Sequence, residues 1–408
     1  MRRLTLLLAA LAALSCTGSP RQETMADLRA RVIERARVQT VYMDSLLTDG
    51  RCPRTFQGDS LVTTDIGWWC SGFYPGVLWQ VYEATEDTLF RDLAVKHTLP
   101  LAGLLERNTD HDIGFQLMSS FGKMARHLPS GTTSCLSDDP SCHSERSEGI
   151  SPKTVLTRGA GILAARFDPA VGVIRSWNGN QWNYPVIIDN MMNLELLMEY
   201  GDRAVAERHA LTTAANHFRE DGTTWHLVDY ADDGSVLGKQ TVQGYADDSA
   251  WARGQAWALY GYAMMAREER KIGNEDLAKT FYEVSAKLEG WILPRLPEDG
   301  VPYWDFSQTD CRDASAGAII ACGLLQLWEF RGRTPDDPAL AMAERILRTL
   351  ASPEYLVEPR TLGGFLLKHS VGSLPGHSEV DVPLTYADYY FLEALSLFPV
   401  SVTPLKVN

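Results

Sequence analysis

What most constrains this chain is a recurrence of helix-length amphipathic segments that share a rhythm but not a sequence. Apolar residues return every three and four positions over 24–48, 73–85, 88–107, 115–127, 153–166, 189–200, 204–219, 248–271, 274–290, 314–331, 336–350 and 384–397, the spacing of one helical face. Loops of Gly, Pro, Asp and aromatic residues separate them, with few β-branched alternating runs, so the core is predicted to be helical. The segments differ in kind. Those from 89 to 105 and from 204 to 218 are dotted with charges and read as half-solvated outer helices. Those opening with Gly72, Asp189, Asp248 and Asp313 carry Ala, Met, Asn and aromatics on faces that ought to be polar, the mark of burial nearly all round. Six inner and six outer helices predict an all-α fold, an (α/α)6 barrel of six helical hairpins. In such a toroid the loops before the inner helices converge on one end and build a cleft.

With 408 residues and 45% hydrophobic content, the chain has enough apolar surface for a large core. Its formal net charge of −14 argues against a nucleic-acid binder, because phosphate contacts need a basic footprint. An anionic ligand must therefore be met by a local positive site. The opening "MRRLTLLLAALAALSCTGSP" has the arginines and apolar run of a signal peptide. Small residues lead into Cys16 as in a bacterial lipobox. Residues 1–16 are thus expected to be a lipoprotein-type signal, with Cys16 lipidated and the protein exported to the periplasm or anchored at the outer membrane. Residues 17–408 read as a single catalytic domain, with a flexible surface insertion at 130–152, "SGTTSCLSDDPSCHSERSEGISP". Within it Cys135 and Cys142 are the best-placed disulfide pair, and with His143 they make only an incomplete metal clip. CxxC and HExxH spacings are missing, so no metal site is expected.

Two carboxylates stand out. Asp112 in "NTDHDIGFQL" and Asp189 in "VIIDNMMNLELL" sit at predicted helix starts, where an Asp is ordinarily an N-cap. Their contexts point elsewhere: Gly114 permits close backbone approach beside Asp112, and Asp189 lies in an apolar run rich in Met and Asn. A carboxyl in such a pocket acquires the raised pKa that a proton donor at neutral pH needs. Aromatic residues crowd the same loops, among them Trp68, Trp69, Trp177, Trp182, Trp225, Trp251, Trp257 and Trp304. Their placement beside Gly, Asn and Asp suggests a stacking surface for sugar rings.

In "SAWARGQAWALYGY", at 249–262, Arg253 stands among Trp, Tyr and Ala, with Ala252, Gly254 and Ala256 leaving room for a partner. Asp247 or Asp248 is expected to cap this helix. A buried guanidinium needs an anion, and its fork matches a carboxylate. Two roles fit Arg253: a salt bridge that orients an active-site Asp, or direct contact with an anionic sugar.

The run "HDIGF", "IIDNMMNLELL", "TWHLVDY", "TVQGYADDSAWARGQAWALYGY", "PYWDF", "RDASAGAIIA" and "HSVGSLPGHSEVDVPLTYADYYFLEAL" resembles glycoside hydrolase family 88, the unsaturated glucuronyl hydrolases, over nearly all of the chain after the signal. The resemblance implies the (α/α)6 barrel and a substrate made by polysaccharide lyases, an oligosaccharide ending in a 4,5-unsaturated uronic acid. By motif it implies Asp189 as general acid and base and Asp112 as the second essential carboxylate. Trp69, His226, Gln243, Trp251, Arg253 and Trp257 fall on the pattern of substrate binders. The implied reaction hydrates the C4=C5 double bond and needs no cofactor. "HSVGSLP" places Ser370 and Ser373 in an arrangement that resembles a sulfate-contacting element of relatives acting on sulfated glycosaminoglycans, with Lys368 nearby. Two alternatives accompany this reading: an unsaturated rhamnogalacturonyl hydrolase acting on pectin fragments, and a non-catalytic sugar-binding lipoprotein.

Overall fold

A computed structural model describes residues 23–107, 110–128, 151–179 and 181–399. The signal segment, Cys16, Cys135, Cys142 and His143 lie outside the described residues. So does the expected insertion at 130–152 except for its last two residues, and the second of these, Pro152, already opens a helix.

Among the described residues, half-exposed and buried helices alternate along the chain. The half-exposed ones are α1 (Met25–Leu46), α3 (Thr88–Thr98), α6 (Pro152–Ala164), α8 (Arg203–Asn216), α10 (Glu275–Ile292) and α12 (Pro338–Leu350). Between them come six buried runs: α2 (Phe73–Thr85), α4 (Ile113–Leu117) continuing through a π turn into α5 (Lys123–His127), a 3-10 segment (Ile188–Asn193) leading into α7 (Leu194–Tyr200), α9 (Ala252–Lys271), α11 (Ala314–Phe330) and α13 (Thr385–Leu397). The buried runs contact one another in sequence, α9 against α11, α11 against α13, and α13 back against α2, which closes the ring. This is the (α/α)6 barrel, with its core inside the inner ring and between the two rings.

Among the described residues, nine short strands form four small antiparallel sheets: β1 (Cys52–Gln57) with β2 (Ser60–Thr64), β3 (Phe167–Asp168) with β4 (Val173–Ile174), β5 (Pro185–Ile187) with β6 (Leu227–Tyr230) and β7 (Val236–Gln240), and β8 (Ser370–Ser373) with β9 (Ser378–Val382). All are loop elaborations rather than core layers.

The helix boundaries follow local chemistry. Pro100 converts the expected helix tail at 99–106 into a 3-10 turn, because its nitrogen has no hydrogen to donate. In the π turn, the hydroxyls of Ser119 and Ser120 bond back to the carbonyls of Phe115 and Gln116. The expected cap of α9 is corrected: Trp251 is its N-cap and gives no side-chain bond, while Asp247 accepts the Thr241 N–H at 2.8 Å instead. Outer helices α1, α3, α8, α10 and α12 are capped by Thr24, Asp87, Asp202, Asn274 and Asp337. Five of the six inner runs start with no side-chain cap, the exception being α11 with Asp313. The positive dipole ends of the inner helices thus gather at one end of the ring, with first-turn N–H groups such as those of Ile188 and Ala252 bonded to loop carbonyls rather than to capping side chains. That supplies part of the local positive potential which the net charge made necessary.

Candidate active site

The small sheet β5–β6–β7 assembles the centre by register. Ile187 pairs with Leu227, so the next residues outward, Ile188 and His226, are joined by an N–H···O bond of 2.9 Å, and Asp189 comes beside the His226 ring. Leu227 also pairs with Gln240, which brings the following residues 241–243 to the same ring. The backbone N–H groups of Val242 and Gln243 donate to His226 Nδ1 at 3.0 and 3.2 Å. That network fixes the tautomer: Nδ1 accepts, so Nε2 carries the hydrogen, 3.7 Å from Asp189 Oδ2. Burial, aided by the Arg253 charge, pushes the His226 pKa down to about 3, leaving a neutral imidazole that offers an N–H to the cleft.

Asp189 is not a helix cap. Its Oδ2 has no hydrogen-bond partner and its side chain is 14% exposed. Desolvation raises its pKa to about 6, against the opposing pull of the Arg253 charge and the nearby Trp257 indole. Asp112 makes no side-chain cap bond either, and the neighbouring Asp110 accepts its N–H at 3.0 Å. Burial raises the Asp112 pKa well above the carboxylate range, with the charges of Asp110 and Asp189 adding to it and Arg166 opposing. His111 Nε2 lies 3.4 Å from Asp112 Oδ1, and burial drives the His111 pKa to about 3. Each carboxylate raises the other's cost of ionisation, and the site holds protons at pH values where exposed acids have lost theirs.

Close packing of two inner runs sets the carboxylates facing. A Cβ on Gly114 would lie 2.5 Å from Asn193 Oδ1 and 2.6 Å from Asn193 Cα, so only glycine lets α4 approach the 188–193 segment this closely. The Phe115 N–H then donates to Asn193 Oδ1 at 2.7 Å, locking the contact.

Arg253 is 2% exposed and spans the centre. Its Nη1 donates to the Val371 carbonyl and reaches Asp313 Oδ2 at 3.4 Å; Nη2 donates to Gln243 Oε1 at 3.1 Å and to the Gly372 carbonyl at 2.6 Å. Trp251 lies under the guanidinium at 4.5 Å and against the His226 ring at 4.6 Å. A Cβ at Gly254 would strike that indole at 2.7 Å. These bonds tie β8, the 241–243 loop and Asp313, the cap of α11, to the start of α9. The Arg253 charge still reaches Asp189.

The remaining expected residues fall in different places. Trp257 is fully buried between Phe115 and Tyr390, with its indole N–H unpaired. Trp304 is buried as well, whereas Trp69 is half-buried and packs on Phe73, Phe115 and Tyr386. Ser370 is fully buried with an unpaired hydroxyl, and Ser373 is half-buried and accepts the Gly376 N–H at 3.3 Å. Lys368 donates to the Pro353 carbonyl at 2.9 Å. The S-x-x-S element therefore opens only Ser373 to solvent. Sequence reasoning passed over Arg166, Asn193 and Asp313. The spacing of Asn193, four residues after Asp189 and on the same helical face, was the one available signal for it.

A second acidic group, Glu195 and Glu199 of α7 with Glu268 of α9, has its carboxylates within 4.8 Å of one another. Arg267 and Lys271 already pair with Glu195 and Glu268 at 2.6–2.7 Å, so these acids have their counter-charges within the protein.

No family model matches the chain. Among curated proteins it is 38% identical to an unsaturated glucuronyl hydrolase of Formosa agariphila, over 80% of this chain and 79% of that one. It is 32% identical to an unsaturated glucuronyl hydrolase of Bacillus sp. strain GL1, over 85% and 90%. Among solved structures, an unsaturated glucuronyl hydrolase specific for heparin superposes with a TM-score of 0.80 at 37% identity, covering 91% of this chain and 97% of that one. Toroid, raised carboxyls and relatives together define the class, a glycoside hydrolase. Within that class the chain belongs to family 88, the unsaturated glucuronyl hydrolases.

Proposed function

We propose that this protein removes the 4,5-unsaturated uronic acid from the non-reducing end of glycosaminoglycan-type oligosaccharides left by polysaccharide lyases. The observation that carries the reading is Asp189: a carboxyl with a pKa near 6, one oxygen unpartnered, beside a neutral imidazole N–H. Asp189 donates its proton to C4 of the double bond. The resulting carboxylate takes a proton from a water whose oxygen adds at C5, so the acid is regenerated. The C5 hemiketal opens, the glycosidic bond breaks, and a keto-sugar acid and the shortened saccharide leave. Asp112 bonds the sugar hydroxyls, and His226 and Gln243 present an N–H and a side-chain amide to the ring. Trp69 walls the pocket. Trp251, Arg253 and Trp257 shape it from behind. Ser373 stands at the edge where a sulfate on the second sugar would lie, with Ser370 behind it.

Because the proton goes to carbon rather than to a glycosidic oxygen, the carboxylate separations that distinguish retaining from inverting enzymes do not govern this site. The N-terminal sequence supports an exported enzyme, lipidated at Cys16. Decay of absorbance at about 235 nm tests the function, using unsaturated chondroitin, hyaluronan and heparin disaccharides with an unsaturated rhamnogalacturonan disaccharide in parallel. Decay on a glycosaminoglycan disaccharide that Asp189→Asn abolishes supports the reading. Decay on the pectin fragment alone overturns its substrate class, and binding without decay on any of the four overturns catalysis.

A further inference from the structure

The chain has 11 Trp, 15 Tyr and 13 Phe, yet among the described residues a single one of these rings is exposed: Tyr245, at 59%. It stands two residues after Gln243, on the loop whose N–H groups hold His226 Nδ1. This loop is unusually well tied. The Tyr245 N–H donates to Oδ2 of the fully buried Asp305 at 3.1 Å, the Gly244 N–H to Thr241 Oγ1 at 2.8 Å, and the Ala246 N–H to Ser249 Oγ at 3.0 Å. Arg219 Nη2 holds the carbonyls of Asp247 and Ser249 at 2.9 and 3.0 Å. The Tyr245 ring rests edgewise against Trp304, with centroids 6.4 Å apart. Val242, on the same loop, is 39% exposed. A fixed backbone therefore presents an apolar ring to solvent beside the site, where ordering costs on binding are already met.

Resting on the function proposed above, we infer that Tyr245 is a stacking platform for the third sugar of longer substrates. The reacting uronate is a chain end, so the saccharide can extend only outward from the pocket, and the loop that carries Tyr245 flanks that pocket at His226. A disaccharide is too short to reach a platform two sugars from the cleaved bond. The ligand class is a pyranose whose C–H face lies on the phenol ring, and its charge is immaterial to the contact.

The test compares unsaturated hyaluronan disaccharide and tetrasaccharide, which differ in length and not in sulfation, with the full protein and its Tyr245→Ala and Tyr245→Phe variants. Tyr245→Ala is expected to lower kcat/KM on the tetrasaccharide about 5- to 10-fold and to leave the disaccharide within about twofold, with Tyr245→Phe retaining both. An equal fall on both substrates, or no fall on either, overturns the inference. So does a dimer of the parent, seen by light scattering, that Tyr245→Ala dissolves, since the ring would then face a second copy of the chain. Parent turnover of the disaccharide judges the function separately. The same ratio of dissociation constants, measured by calorimetry in Asp189→Asn, judges the platform whether or not turnover occurs.

Discussion

At the residue scale, Asp189 pays for its chemistry in stability. Its folded pKa near 6 lies above its ordinary value of 3.8, so the folded state keeps a proton that the unfolded state releases. The relative stability from that proton is complete below pH about 4, declines between about 4 and 6, and is lost above. Asp189→Asn is therefore expected to abolish turnover yet raise unfolding free energy at pH 7.5 by about 2–3 kcal/mol, with the gain vanishing near pH 4. Denaturant unfolding at the two pH values checks this. Arg253→Lys is expected to cost about 2–4 kcal/mol and most of the activity, because one ammonium cannot satisfy two carbonyls, Gln243 and Asp313 together. Wild-type melting behaviour in that variant would refute the role of Arg253 in tying these segments together. The apolar setting of both acids was legible in the sequence, as was the need of a buried arginine for an anion. The sequence did not reveal that backbone carbonyls of β8, more than a hundred residues away, would supply two of the four acceptors. Arg166 was equally hidden, since only the folded chain brings its charge to Asp110 and Asp112.

At the element scale, the close crossing of α4 and the 188–193 segment decides where the two carboxylates stand. Gly114→Ala places a methyl group against Asn193 backbone and is expected to destabilise by about 1–3 kcal/mol and to lower kcat well beyond what that loss implies. Gly161→Ala, on the exposed face of α6 where an added Cβ meets nothing within 4 Å, is the control and is expected to stabilise by about 0.5–1 kcal/mol. Paired melting curves and rates separate the two. The helices were readable because a 3.6-residue period has many turns in which to declare itself, as in α9 and α10. The strands were not: β5 has three residues, and β3 and β4 two each, too few for alternation to emerge. Yet β5 and β6 bring Asp189 to His226, so the part of the site hardest to foresee lay in the shortest elements. The misplaced start of α9 has a similar cause. Asp247 and Asp248 have the chemistry of caps, but Asp247 closes the 241–247 loop and the helix begins only after Trp251.

At the scale of the whole molecule, a net charge of −14 faces an anionic substrate. Long-range repulsion is screened within about 10 Å at 0.1 M salt, whereas the buried Arg253 and the uncapped inner-helix starts act at short range. Raising ionic strength from about 10 to 200 mM is therefore expected to increase kcat/KM modestly, by less than about threefold. A steep decrease would mean that an exposed basic surface steers the substrate. The toroid itself followed from counting segments and judging how much of each was buried, because helices apolar all round must sit inside helices that are not. Delivery of a proton from Asp189 to carbon is tested by running the reaction in deuterium oxide, with mass and NMR analysis of the released uronate. One deuterium bound at C4, incorporated as the double bond disappears, is expected, with no product from Asp189→Asn. Release of the saccharide with the double bond intact, or parental turnover by Asp189→Asn, would contradict that delivery.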